Sequence, residues 1–294
     1  MSDSHDAFQS AAVLGAGTMG AGIAEVLAKA GLQVQLFDLS DELTAAGRER
    51  IERSLSKAVE KGKIAESDAA DARARIRYTS DEASTGDADL VVEAAPENME
   101  LKKAIFGRLG ARNETAVLAS NTSSLSVTEI AAATPNPSRV IGMHFFNPPP
   151  IMPLLEIVRA EQTDPALVDR VRALADRLGK SPIVVIDSPG FASSRLGLVL
   201  GLEAIRMLES GVASAEDIDR AMESGYRHPM GPLKLTDLVG LDVRLAIADH
   251  LAREVGPQFT APPLLRRLVR AGKLGMKTGE GFYRWEGRKP LPKG

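Results

Sequence analysis

The run Gly15-Ala16-Gly17-Thr18-Met19-Gly20 matches G-x-G-x-x-G, and it constrains this chain more than any other feature. Alone it says little among 26 glycines; its setting says more. The apolar run 11–15 precedes it, and Ile23, Val26, Leu27 and Ala30 follow at i, i+3, i+4 and i+7, one face of a helix. A second strand-like run, 33–37, leads to Asp38, 18 residues past Gly20. The spacing predicts a strand–turn–helix–strand unit. In such a unit the first glycine permits the tight turn, the second lets a pyrophosphate approach the backbone, and the third lets helix and strand pack closely. The helix start, with Thr18 and Met19, offers free N–H groups and a positive dipole end. Asp38 would accept hydrogen bonds from both hydroxyls of an adenosine ribose. Its charge would repel a 2′-phosphate, so NAD is expected over NADP.

Similar runs recur at 88–94, 115–120, 139–145, 153–159 and 182–187, most of them separated by stretches of helical spacing, as at Ile51, Leu55, Ala58 and Val59. Strand–helix alternation predicts βαβ units and a mainly parallel sheet. The run 153–159 follows its predecessor across only a proline-rich connection, so that pair is expected to be antiparallel. After Asp187-Ser188-Pro189-Gly190 the pattern turns helical. Leu196–Leu208 has helical spacing, and Ser214 opens a helix with Glu216 and Asp217 in its first turn. Residues 231–270 continue in this way, with breaks near Gly256-Pro257 and Pro262-Pro263, and no strand is evident until the last few residues. The expected architecture is an α/β Rossmann-like NAD-binding domain over 1–187, then an all-α domain over 188–294.

Length agrees, since 294 residues make about two domains. Lys plus Arg number 36 against 39 Asp plus Glu, a net charge of −3, which argues against a nucleic-acid-coating protein. The absence of cysteine excludes disulfides, thiolate metal sites and cysteine nucleophiles, and fits a reducing compartment. No metal-ligand cluster stands out. The start, 1–10, lacks the basic and apolar segments of a secretory leader. The most continuous apolar stretch, 196–202, is far shorter than the ~18 residues of a membrane span. A cytoplasmic protein is expected, with neither nucleic acid nor membrane as partner.

His144 ends an apolar strand-like run, and strand C-terminal ends face the ligand crevice of a parallel α/β sheet. A lone histidine there is more often a satisfied core residue than a catalyst. Glu156 lies twelve residues on, inside an apolar run where a carboxylate is costly unless paired. A neighbouring imidazolium would compensate it. Asn147 adds a neutral donor nearby. Ser120-Asn121-Thr122-Ser123-Ser124 follows another strand, although Ser126-x-x-Glu129 fits a capping box, so part of this cluster starts a helix. A Ser–His–acid hydrolase is the rival reading, but no G-x-S-x-G elbow is present and the glycine loop would go unexplained. Arg50, Ser54, Lys57 and Lys61 share one helix face, for which the ordinary reading is a solvated surface among Glu49, Glu52 and Glu60.

The glycine loop, S-N-T-S-S-L (120–125), H-F-F-N-P (144–148), Glu156, P-G-F (189–191), H-P-M-G-P (228–232) and K-T-G-E-G-F-Y (277–283) occur in this order. From about Gln9 to Trp285 the chain closely resembles the short-chain L-3-hydroxyacyl-CoA dehydrogenases, including the bacterial 3-hydroxybutyryl-CoA dehydrogenases. The resemblance implies NAD-dependent oxidation of a 3-hydroxyacyl-CoA and a helical domain that forms a homodimer. By motif, it makes His144 the catalytic base and Glu156 its partner. Ser123 falls on the serine that hydrogen-bonds the substrate 3-oxygen, and Asn147 on the asparagine at nicotinamide and substrate. Glu97, Lys102 and Lys277 fall on residues that touch NAD, Ser54 and Lys61 on coenzyme A contacts. Ser194 stands where the family usually has an active-site asparagine, a departure expected to weaken acyl positioning or to alter the acyl preference. The alternatives are a dehydrogenase of another hydroxy acid or sugar acid, and an NAD-binding structural protein. H-F-F-N-P and the basic helix face favour the CoA ester.

Overall fold

The strand before the glycine loop, β1 (Ser10–Leu14), is central to an eight-stranded sheet. The computed structural model describes residues 7–292, so most of the segment read for a leader lies outside the described residues. The other strands are β2 (Gln33–Phe37), β3 (Ile76–Thr79), β4 (Leu90–Glu93), β5 (Val117–Ser120), β6 (Val140–Phe145), β7 (Leu154–Arg159) and β8 (Ser181–Ile186). Their order is β3-β2-β1-β4-β5-β6-β7-β8. Pairs from β3 through β6 are parallel, β6–β7 is antiparallel as the short proline-rich link predicts, and β7–β8 is parallel. β4, β5 and β6 are buried at every position, which suits their near-continuous apolar sequences. β1 has β2 on one side and β4 on the other, so strand order reverses there, and the crevice beyond their C-terminal ends is the topological switch point.

The connecting helices are α1 (Thr18–Lys29), α2 (Asp41–Glu60), α3 (Glu66–Ala74), α4 (Met99–Arg112), α5 (Val127–Ala131) and α6 (Pro165–Arg177). α1 is buried from Gly20 through Ala28. Its close fit explains a second glycine, because a Cβ on Gly22 would fall 2.7 Å from the Pro149 ring. Ser126 caps α5 by accepting from the Glu129 N–H at 3.1 Å, half of the expected capping box, while the Glu129 carboxylate turns to Lys103. β3 and α3 escape the periodicity reading. β3 is a four-residue edge strand with only Ile76 buried, so its apolar signal is weak.

The chain divides into two compact units, Met1–Ser188 and Pro189–Gly294. The second contains α7 (Ser193–Glu209), α8 (Ala215–Gly225), α9 (Pro232–Val239), α10 (Leu241–Glu254) and α11 (Pro263–Arg270), with a small hairpin of β9 (Arg284–Glu286) and β10 (Lys289–Leu291). Ser214 caps α8, as its sequence suggests. Between α9 and α10 the helical pattern conceals a break at Gly240, whose φ is +105°. Leu198, Leu202, Ile205, Leu233, Leu251 and Leu265 form the core with Tyr283 and Trp285. Among the described residues no helix is long and apolar enough to cross a membrane.

Two fully buried carboxylates organise this unit. Asp219 accepts from the Leu233 and Lys234 N–H groups and from the Tyr283 hydroxyl, at 2.8, 3.1 and 2.8 Å. Asp237 accepts from the Phe282 and Tyr283 N–H groups and from Trp285 Nε1, at 2.8, 2.9 and 2.9 Å. Their approach excludes side chains: a Cβ on Gly231 would fall 2.2 Å from Asp219 Cγ, and one on Gly281 2.1 Å from Asp237 Oδ1. Gly231 of H-P-M-G-P and Gly281 of K-T-G-E-G-F-Y are therefore packing requirements. Asp237→Ala strands three buried donors and should lower the stability of this unit by about 4 kcal/mol. Urea unfolding followed by fluorescence of Trp285, the single tryptophan, measures it.

Candidate active site

The glycine loop turns sharply at the end of β1. Gly15 has φ +102°, and a Cβ there would lie 2.7 Å from the Ala94 carbonyl oxygen. A Cβ on Gly20 would lie 1.7 Å from the Gly15 oxygen, so the helix start folds directly onto the loop. Gly17 faces open space. Asp38 follows β2, with Oδ2 accepting from the Ala16 N–H and Oδ1 from the Leu39 N–H, both at 2.7 Å. These bonds tie the carboxylate to the loop. A cavity of about 560 Å³ lies over this switch point, bordered by Gly15, Gly17, Thr18, Met19, Asp38 and Ala94–Pro96. Leu39, Leu43, Leu101 and Ile105 add apolar walls, and Leu39 is 84% exposed. Open backbone at a helix N-terminus, a fixed carboxylate and uncovered apolar side chains fit a dinucleotide with its pyrophosphate, ribose and base.

His144 and Glu156 meet across the antiparallel β6–β7 ladder, where they are directly opposed. His144 Nδ1 lies 2.7 Å from Glu156 Oε2, with both side chains buried. The Phe146 ring stands 4.5 Å from the imidazole centroid, tilted. Asn147 is exposed at the start of the β6–β7 connection, which Lys180 Nζ holds by donating to the Pro149 and Met152 carbonyls. Asn121 joins the neighbouring strand end to this one, as its Oδ1 accepts from the Phe145 N–H at 3.0 Å.

Ser123 is half-buried in the loop after β5, and Glu97 gathers that loop. Glu97 Oε1 accepts from Thr122 Oγ1 at 2.7 Å, from the Ser123 N–H at 3.0 Å and from the Ser123 hydroxyl at 3.3 Å. Lys102 is buried behind Glu97, its Nζ 2.6 Å from Glu93 Oε1 and 3.4 Å from Glu97 Oε2. The reason is Glu93, a fully buried carboxylate at the end of β4 that needs a cation. Glu93 was missed by sequence reasoning. Its signal was an acid ending the apolar run Leu90-Val91-Val92.

The basic residues of α2 sit in different surroundings. Arg50 Nη1 donates to the Ala16 carbonyl at 3.3 Å. Arg50 and Ser54 border a cavity of about 260 Å³ with Thr18, Gly22, Glu25 and Pro148–Pro150. Lys61 caps the C-terminus of α2 and is exposed. Glu25, unnoticed in the sequence, is 1% exposed, and its Oε2 has no hydrogen-bond partner among the described residues. Burial pushes its carboxyl above the usual range, against the opposing pull of Ser54, Lys29 and Lys180. Ser194 and Lys277 belong to the second unit. Ser194 lies in the first turn of α7, and Lys277 Nζ donates to Asp242 at 2.7 Å.

A dinucleotide loop at the switch point with a buried His–Glu pair on the same sheet is the arrangement of a nicotinamide-dependent dehydrogenase. Residues 10–188 match the 3-hydroxyacyl-CoA dehydrogenase NAD binding domain, and residues 190–285 the 3-hydroxyacyl-CoA dehydrogenase C-terminal domain. A 3-hydroxybutyryl-CoA dehydrogenase of Mycobacterium tuberculosis is 46% identical over 95% of this chain and 99% of its own. The mitochondrial hydroxyacyl-coenzyme A dehydrogenase of Sus scrofa is 42% identical over 93% of this chain and 90% of its own. The crystal structure of (S)-3-hydroxybutyryl-CoA dehydrogenase from Ralstonia eutropha superposes with a TM-score of 0.92 at 42% identity, covering 95% of this chain and all of that one. The chain belongs to the 3-hydroxyacyl-CoA dehydrogenase family, and its first unit is that family's NAD-binding domain.

The position of Asp38 predicts cofactor choice. Asp38→Ala should raise NADP use relative to NAD by one to two orders of magnitude, roughly the loss of a few kcal/mol of like-charge discrimination. Steady-state kinetics with both cofactors tests this, and a wild type that already prefers NADP would refute the ribose assignment.

Proposed function

We propose that the chain oxidises L-3-hydroxyacyl-CoA to 3-oxoacyl-CoA with NAD, and reverses the reaction, with 3-hydroxybutyryl-CoA as its substrate. The observation that carries this reading is the buried pair of His144 and Glu156 across β6 and β7. With Nδ1 held by the carboxylate, the other ring nitrogen is the one available to a substrate. His144 Nε2 takes the proton of the 3-hydroxyl as general base. Glu156 holds the ring orientation and stabilises the imidazolium that forms. NAD, when bound, supplies the acceptor for the C3 hydride. Ser123 donates to the reacting oxygen, and Asn147 holds that oxygen or the cofactor amide. In the reverse direction the imidazolium polarises the ketone and returns the proton.

In this reading Ser54 and Lys61 take the phosphates and nucleotide of coenzyme A, Ser194 is assigned to the acyl group and Lys277 to the cofactor. Serine offers one hydroxyl where an asparagine would offer a carbonyl and an amide, so acyl positioning by Ser194 is looser. The same reading locates the chain in the cytoplasm, in keeping with a cysteine-free composition. It also makes the chain a homodimer through the helical unit. Support comes from Leu196, Leu200, Leu238, Val239 and Val243, each at least 40% exposed on α7, α9 and α10 or their ends.

NADH formation with 3-hydroxybutyryl-CoA, compared with free 3-hydroxybutyrate, tests the activity; turnover of the free acid alone would point to the hydroxy-acid reading. His144→Gln should keep NAD binding while turnover falls at least ~10²-fold. Glu156→Gln keeps the ring contact, loses the charge, and should also lower turnover. Light scattering at micromolar concentration should give the mass of two chains, and a monomer would exclude the homodimer.

A further inference from the structure

One buried charge in the second unit has no partner. Arg244 of α10 is 6% exposed, and its Nε has no hydrogen-bond partner among the described residues. No ion pair among those residues includes it either. Asp242, the acid nearest to it in sequence, is held by Lys277, and Asp219 and Asp237 are filled by the donors named above. Arg139 is similarly buried but donates to the Ala116 and Gly110 carbonyls, both at 2.8 Å. Along its own helix Arg244 lies between Leu241 and Ala248, both fully buried. Burial with no opposing carboxylate pushes the guanidinium down to about 10, so it still carries its charge at neutral pH. A charge withdrawn from water without a partner is costly, and an apolar side chain would pack there without that cost.

The terminal nitrogens reach α7. A Cβ on Gly197 would meet Arg244 Nη1 at 3.6 Å and Nη2 at 3.9 Å, so the fork lies against a stretch of helix that has no side chain to cover it. Gly197 follows Ser194 by three residues, on one face of that helix. Serine removes an amide from this face, and Arg244 supplies a cation to it.

We propose that Arg244 is a specificity residue of the acyl site: its guanidinium pairs with a carboxylate at the far end of the acyl chain, so that the substrates include 3-hydroxyacyl-CoA esters of dicarboxylic acids. The inference rests on the reading of Ser194 as an acyl contact. A carboxylate suits the site because the planar fork takes both of its oxygens, and a pair formed away from water compensates the buried charge. A neutral acyl tail leaves the cation unpaired, which is the source of the discrimination. The phosphates of coenzyme A are taken in the first unit by Ser54 and Lys61 in the same reading, which leaves the acyl group to carry the anion.

Calorimetry with hexanedioyl-CoA and hexanoyl-CoA, which lack the reacting hydroxyl, reads the site without turnover. Wild type should bind the first at least ~10-fold more tightly, and kcat/KM should favour 3-hydroxyhexanedioyl-CoA over 3-hydroxyhexanoyl-CoA by a similar factor. In Arg244→Met both ratios should fall to one or below. Arg244→Lys, which keeps the charge but not the fork, should retain part of each. The Tm of Arg244→Met should stay at or above that of wild type, because an unpaired buried charge is removed. Equal affinity of wild type for the two esters overturns the proposal, as does a preference that survives in Arg244→Met. Monomers of Arg244→Met in light scattering, with both ratios unchanged, assign the guanidinium to a carboxylate of a second copy and overturn it too. A wild type that prefers hexanedioyl-CoA in binding yet oxidises neither hydroxy ester removes the dehydrogenase reading alone and upholds the acyl site.

Discussion

The register of β6 against β7 sets His144 opposite Glu156, and the chemistry of the first unit depends on that pairing. Side chains alternate faces along a strand, so a slip of one residue would turn one partner to the other side of the sheet. The antiparallel turn is what makes the match, because residues opposite one another across such a ladder have their Cβ atoms about 5 Å apart. Gly142 is part of the same constraint: a Cβ there would fall 2.6 Å from Val158 Cβ on β7, so the strands could not close to this register around a larger residue.

Buried carboxylates recur as backbone anchors. Glu93, Asp219 and Asp237 are each fully buried and each collects three donors, two of them at least from outside its own element. A carboxylate offers about four acceptor sites at one point, so it can join segments that a neutral side chain would leave apart. Glu93 joins β4 to α4 and β5, while Asp237 joins α9 to the segment 282–285. Glu25 differs, having one oxygen without a partner among the described residues in the wall of a cavity.

The close contacts on α1 give its sequence a second meaning. Gly20 and Gly22 belong to one helix but answer to different neighbours, the glycine loop on one side and the proline segment after β6 on the other. The dinucleotide loop and the connection bearing Asn147 are therefore both packed on α1.

Patterning in the sequence was enough for the α/β unit, the glycine loop with Asp38, the antiparallel β6–β7 pair and the helical second unit, because each rests on local spacing: a period of two or 3.6, or glycines at fixed separations. His144 and Glu156 were legible as residue types in unusual settings, an imidazole and a carboxylate in apolar strands. Their 2.7 Å contact came only from the strand register. The edge strand β3 and the break at Gly240 lay below the pattern, one for want of buried positions and one because a single glycine interrupts little of a helical period. Lys102 marks the limit most clearly. The resemblance makes it a cofactor contact; that it also neutralises Glu93, a carboxylate fully withdrawn from water that requires a nearby cation, becomes visible only when β4 and α4 are packed together.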